Sequence, residues 1–167
     1  MTPIEFSIIG KAQTAGSKRA FPFQRPDGSL GVRVSDDNPK SGDWKANVGW
    51  AAISARPVGQ GLLEGPLSVE FTFEVPRPQG HFGKRGLLAS APAHPTTRPD
   101  VLKLARAVED ALSGIVYRDD SQIVREVLVK KYGEQARLTV RLERPHAYVE
   151  SAKPEQPLLI SDPINAA

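Results

Sequence analysis

Five carboxylates, Asp100, Glu109, Asp110, Asp119 and Asp120, fall within residues 98–124 of a chain whose formal net charge is +3. Oxygen ligands of this kind hold hard divalent cations. A cation so held polarises a phosphate ester, and a basic surface attracts the polyanion that carries the ester. The chemistry requires the acids to converge. Asp100 stands at the start of a helical pattern and Asp119-Asp120 follows its end, so about 20 Å of helix separates them at the usual rise per residue. The chain must double back along that helix before the two ends can meet. Otherwise the same residues are a helix-start acid and a polar Asp-Asp turn, and spacing alone leaves both readings open.

The elements that must position these residues follow from the apolar periodicity. Residues 4–9 read as a first strand ending at Gly10, and a basic loop follows to Arg19. Turn chemistry at Arg25-Pro26-Asp27-Gly28 joins residues 20–24 to 30–34 as a hairpin. Ser41-Gly42-Asp43 is placed to cap a helix through Trp44, Val48, Ala51, Ala52 and Ala55 that stops near Pro57. Leu67, Val69, Phe71, Phe73 and Val75 alternate along one face of a strand. Residues 76–97 are rich in Pro and Gly, contain Arg77, His81, Lys84, Arg85 and His94, and have no acid. A loop of that length is either functional or disordered, and its Gly83-Lys84-Arg85-Gly86 centre suits a phosphate-gripping arm. Both histidines read as polar loop residues.

The acid-bearing helix opens at Arg98-Pro99-Asp100, with Pro99 suited to a first turn and Asp100 to the positive end of the macrodipole. Val101, Leu104, Ala105, Val108 and Leu112 form its buried stripe, and Gly114 ends it. A short strand at 115–117 is expected to carry the chain back. Two further strands, 122–132 and 136–143, are joined near Gly133, and from Pro145 the sequence loses periodicity and reads as a disordered tail. His146, where that tail begins, has no assigned role. Trp44 and Trp50, six apart, suit core or dimer packing more than base stacking.

Composition sets the outer bounds. At 167 residues and 40% apolar content, one globular domain suffices, divided into a body of residues 1–144 and a tail of 145–167. The tail, from residue 150, carries one Lys against three acids, so the body is more basic than the sum suggests. No apolar run reaches the roughly 18 residues of a membrane span and no export signal is visible, which predicts a soluble, cytoplasmic protein. With no cysteine, a metal would be held by oxygen or histidine, favouring Mg²⁺ with Mn²⁺ as an alternative.

The order Pro-Asp-x-x-x-Leu-x-(Lys/Arg)-Ala-x-x-Asp-Ala-Leu-x-Gly-(Ile/Val)-x-(Trp/Tyr)-x-Asp-Asp-x-Gln-(Ile/Val), matched throughout residues 98–124, resembles the signature of the RusA family of Holliday-junction resolvases. The upstream segment from Gly10 to Arg19, and a strand leading into a basic loop that ends at Arg98, are similar to that family's layout. The resemblance implies an α+β single domain, with a small mixed sheet packed against two main helices. It implies a homodimeric, Mg²⁺-dependent endodeoxyribonuclease that nicks branched DNA, the four-way junction above all, symmetrically. Its acidic residues map onto Asp100, Leu102 and Asp120, and its helix lysine onto Arg106. Leu102-Lys103 stands where the family usually has Asp-Asn.

Leu102 is also anomalous by periodicity, because positions 102, 106, 109 and 113 form a row on the polar side of the helix. Glu109 extends that row and either replaces the missing ligand or pairs with Arg106. Asp110 either pairs with Arg106 or faces the Asp119-Asp120 turn. Arg106, which cannot deprotonate, would act as a phosphate clamp. The expected metal ligands are Asp100, Asp119 and Asp120, with Arg106, Glu109 and Asp110 completing the catalytic set. Lys18, Arg19, Arg77, Lys84, Arg85 and Lys103 are the expected DNA contacts. A second expectation is a junction-binding protein whose cleavage is impaired by Leu102.

Overall fold

A computed structural model describes residues 2–16, 18–36 and 38–145. His146 and all of the expected tail beyond Pro145 lie outside the described residues.

The chain folds as α+β around one four-stranded mixed sheet and two helices. The strands β1 (Ile4–Ile9), β4 (Leu67–Pro76), β7 (Ile123–Gly133) and β8 (Arg137–Glu143) are arranged in the order β1-β8-β4-β7. β8 is antiparallel to both β1 and β4, and β4 runs parallel to β7. The two strands flanking Gly133 are therefore not partners; they sit on opposite sides of β4. Leu67, Val69, Phe71 and Phe73 of β4 are fully buried, as their alternation predicts. They meet Leu138, Val140 and Leu142 of β8 and Ile4 of β1 on the face covered by the helices.

Helix α1 (Ser41–Ala55) buries Trp44, Val48 and Ala52 and leaves Trp50 exposed. Its start differs from the expected cap. Lys40 is the N-cap residue without a side-chain bond, while Ser41 is already helical and buried. The turn before it is held by Asn38, whose amide donates to the Thr14 carbonyl at 3.0 Å and whose side-chain oxygen accepts from the Lys40 N–H at 3.1 Å.

Helix α2 (Val101–Leu112) buries Leu104, Ala105, Ala107, Val108, Ala111 and Leu112, the face its periodicity marks. Asp100 is its N-cap residue, with no side-chain capping bond, so Pro99 precedes the helix instead of forming its first turn. The Arg98–Pro99 peptide is cis.

The return after Gly114 is a tight turn and not a strand. Gly114 takes φ +74°, and its N–H donates to the Tyr117 carbonyl at 2.7 Å. Val116 and Tyr117 are fully buried.

Two hairpins stand outside the main sheet. The expected turn at residues 25–28 joins β2 (Lys18–Gln24) to β3 (Leu30–Asp36), so Lys18 and Arg19 open a strand, opposite Asp36 and Ser35, and do not end a loop. Within residues 76–97, a short helical turn at Gln79–His81 leads into β5 (Phe82–Gly83) and β6 (Gly86–Leu87). The long basic segment is thus an ordered arm with Lys84-Arg85 at its tip. Among the described residues no helix is long and apolar enough to cross a membrane.

Candidate active site

Strand β7 lies beside α2, and the sheet register shows which of its side chains face the helix. Glu126 pairs with Val69 and Lys130 with Phe73, both core-facing residues of β4. Glu126 and Lys130 therefore project toward the helix-covered side at the sheet edge. Lys130 Nζ donates to the Thr97 carbonyl at 2.9 Å and the Pro99 carbonyl at 3.0 Å, which pins the approach to the N-terminus of α2. Glu126 lies close to Glu109, near the other end of the helix, and helps raise its carboxyl. Two charged residues of opposite sign thus mark the ends of one groove.

The acidic end gathers four carboxylates. Partial burial first, and then the neighbouring Glu126, Asp120 and Asp110 in that order, together push the Glu109 carboxyl from an ordinary 4.5 up to about 7. Tyr117 donates its hydroxyl to the Glu109 carbonyl at 3.1 Å, and burial pushes the phenol well above its ordinary range. Asp110 forms a 2.7 Å ion pair with Lys45 of α1, and among the described residues no ion pair joins Arg106 to Asp110 or Glu109. Arg106 is exposed on the outer face of α2.

The Asp119-Asp120 turn is held by one amide. Gln122 Oε1 accepts from the N–H groups of Arg118 at 2.9 Å and Asp119 at 3.2 Å. Its Nε2 donates to the carbonyls of Leu63 at 2.9 Å and Gly65 at 3.1 Å. Asp119 completes a capping box by accepting from the Ser121 N–H at 3.0 Å. Hydrogen bonds from Ser121, side chain first and then backbone, hold its carboxyl below the usual range. Asp119 is therefore committed to its own turn, whereas Asp120 is near enough to Glu109 to help raise its carboxyl.

Asp100 occupies the opposite end of the groove. Its exposed carboxylate lies 3.9 Å from Lys103 Nζ, beside Thr14 and Arg98 in an open cleft. Nine residues of helix separate it from Glu109, about 13 Å along the axis. The same span measured on β7, from Glu126 to Lys130, is also about 13 Å at the rise of an extended strand. The structure brings Asp120 together with Glu109, Asp110 and Glu126, and it does not bring Asp100 to that group. Leu102 stands between the two ends and is 69% exposed, an apolar side chain on the polar row.

The expected DNA contacts divide in the same way. Lys84 and Arg85 are exposed at the arm tip and Lys103 is exposed beside Asp100. Arg77 is engaged within the protein: its guanidinium stacks 4.1 Å over the Tyr132 ring and donates to the Pro92 carbonyl at 2.8 Å.

Sequence reasoning did not single out Glu126, although a signal was present. In the alternation Val124, Glu126, Leu128, Lys130, two charges occupy positions whose parity faces the helix. Gln122, part of the matched motif, also had no assigned task.

The donor chemistry of the acidic end suits a hard divalent cation. Burial and the neighbouring carboxylates raise the proton affinity of Glu109 there, a repulsion that either a proton or a cation relieves. Among the described residues no three His, Cys, Asp or Glu side chains yet stand in a ligating arrangement.

Comparison with known proteins agrees with the motif. YqaN, an uncharacterized protein of Bacillus subtilis (strain 168), is 31% identical over 157 residues, covering 88% of this chain and 100% of YqaN. The family described as Endodeoxyribonuclease RusA matches residues 24–143, from the end of β2 through the last residue of β8. A match of that extent includes the arm, α2, the Asp119-Asp120 turn and three strands of the sheet, and the chain belongs to the RusA family of endodeoxyribonucleases.

Proposed function

We propose that this protein is a divalent-metal-dependent nuclease that resolves four-way DNA junctions by hydrolysing a phosphodiester, with Mg²⁺ as the working ion and Mn²⁺ as a substitute. The observation that carries this reading is the convergence of Asp120, Glu109, Asp110 and Glu126 at one end of a groove whose other end holds Asp100. When bound, the cation would supply Lewis acidity to the phosphate and lower the pKa of a bound water. Asp120 and Glu109 are its proposed ligands, with Asp119 fixing the turn that aims Asp120 and Asp100 standing apart at the N-terminal end of α2.

Arg106 lies on the exposed row between the acids and would clamp the phosphate by charge, since it cannot act as a base. Glu109, poised near neutrality, is able to hold or release a proton at its carboxyl. Lys45 holds Asp110 from the α1 side and keeps the cluster from expanding. Lys84, Arg85 and Lys103 are proposed phosphate contacts, and Lys18 and Arg19 add charge on the hairpin of β2 and β3. A dimer would present two such grooves to the two equivalent strands of a junction.

The exposure of Leu102 favours a second reading, a junction-binding protein with impaired cleavage, because no carboxylate bridges the two ends of the groove. One experiment separates the two. A labelled four-way junction is incubated with purified protein and Mg²⁺ or Mn²⁺, and paired symmetric nicks are expected. Binding without nicking at every metal concentration establishes the second reading.

A further inference from the structure

The arm of residues 76–97 combines two chemistries that a phosphate-gripping loop does not need. Its tip, Lys84-Arg85, is cationic, but the residues just beyond the glycines on either side of the tip are apolar and exposed. Phe82 and Leu87 are cross-strand partners, 47% and 53% exposed. Leu88, 42% exposed, packs over Gly83, where an added Cβ would meet its Cδ2 at 2.9 Å. Single exposed apolar residues are ordinary; a cross-strand apolar pair on one face of a projecting hairpin, with a third apolar side chain on the other face, is costly to solvate.

The arm is also held in position before any ligand arrives. Leu88 N–H donates to the His81 carbonyl at 2.9 Å, and the His81 ring meets Tyr132 of β7 edge-on, with centroids 5.6 Å apart. The Arg77 guanidinium covers the face of the same tyrosine and reaches the Pro92 carbonyl. Both legs of the arm are thus fastened to the end of β7. Its second leg, residues 88–97, leads to Arg98-Pro99-Asp100, and Lys130 of β7 holds the Thr97 and Pro99 carbonyls at its base. A pre-ordered projection loses little conformational freedom on binding.

We infer that Phe82 and Leu87 form a wedge that enters the stacked bases at the branch point of a DNA junction, while Lys84 and Arg85 hold the flanking phosphates. The inference rests on the proposed DNA function. Two cations at the tip, with no acid anywhere in residues 76–97, select a polyanion as the occupant. The apolar pair on either side of them selects a polyanion with an apolar interior. Insertion of such side chains between base steps unstacks them at a cost of a few kcal/mol, and a branch point, where stacking is already interrupted, is where that cost is lowest. Discrimination between junction and linear duplex follows without any base-specific contact.

The test uses the full chain and a four-way junction carrying 2-aminopurine at the branch, with Ca²⁺ in place of Mg²⁺ to hold cleavage in check. Binding is followed separately by gel shift. Wild-type protein is expected to raise the 2-aminopurine fluorescence on the junction but not on a linear duplex of the same sequence. Phe82→Ser with Leu87→Ser is expected to lose the rise while still shifting the junction, and Phe82→Trp to retain it. Circular dichroism checks that the double variant remains folded, and the singly substituted Phe82→Ser serves if it does not. A junction shifted by wild-type protein with no change in fluorescence overturns the wedge, as does a double variant that unstacks the branch as well as wild type. A double variant that instead loses self-association in sedimentation assigns the pair to a contact between copies. Absence of any shift with wild-type protein removes the DNA reading itself, and the wedge with it.

Discussion

Glu109 connects the electrostatics of the site to a measurable property of the fold. Its carboxyl is raised from 4.5 to about 7, so in the folded protein it remains protonated across a range in which the unfolded chain ionises it. The stability linked to that proton is complete below about pH 4.5 and is lost as pH rises toward 7. With the site partly open to water, screening leaves a contribution on the order of 1–2 kcal/mol. Glu109→Gln should therefore match wild type in thermal unfolding at pH 4 and exceed it at pH 8, a comparison differential scanning calorimetry makes directly. Asp120→Asn should lower junction cleavage about a hundredfold or more, the equivalent of several kcal/mol of lost charge stabilisation, with unchanged or tighter junction binding in a filter assay. Leu102→Asp tests the gap in the groove: a gain in single-turnover rate identifies position 102 as the missing link, and no gain means Glu109 already serves. At this scale the sequence shows which residues are acidic and that 102 is anomalous. It does not show that Asp119 is absorbed by its own capping box or that Glu126 joins the cluster, because both depend on partners distant in the chain.

Among the elements, a single 3-10 turn at Asp120–Gln122, capped by Asp119, places Asp120. Gln122 supplies four hydrogen bonds there, and Gln122→Ala leaves two N–H donors and two carbonyls to find water. At about 1 kcal/mol for each bond lost, a fall in unfolding free energy of about 2–4 kcal/mol is expected in urea denaturation, with cleavage reduced more than binding. The regular elements were legible wherever apolar period alone determines them, as in α2 and β4. They were misread where a local rule competed with tertiary context: Ser41 suits a cap but is buried as the first helical residue, and residues 115–117 have strand-like composition but are folded into a turn by Gly114. The chain returns alongside the helix as expected, yet it delivers Asp120 to the Glu109 end and not to Asp100.

For the molecule as a whole, the arm and the groove share one electrostatic task. Lys84→Ala combined with Arg85→Ala should weaken junction binding and flatten the dependence of log affinity on log salt by up to about two units, read from titrations at several ionic strengths. An unchanged slope places the arm tip away from phosphate. The α+β class, the two helices and the hairpin at residues 25–28 were accessible from sequence. The parallel pairing of β4 with β7 was not, since nothing in two neighbouring strands reveals that a third will separate them.

That separation has a consequence during synthesis. Ser7 of β1 meets Thr139 of β8 across 132 positions, their hydroxyls 3.0 Å apart, and β8 alone joins β1 to β4. A polypeptide that has emerged only as far as Gly133 can assemble the β4, α2 and β7 unit but leaves an entire edge of β4 with open N–H and C=O groups. Such an intermediate invites strand exchange with other nascent chains, and the high sequence separation of the closing contacts slows its resolution. Ribosome-bound fragments ending before Arg137 should therefore be the aggregation-prone species in this protein's biogenesis, protected once the final strand slots in.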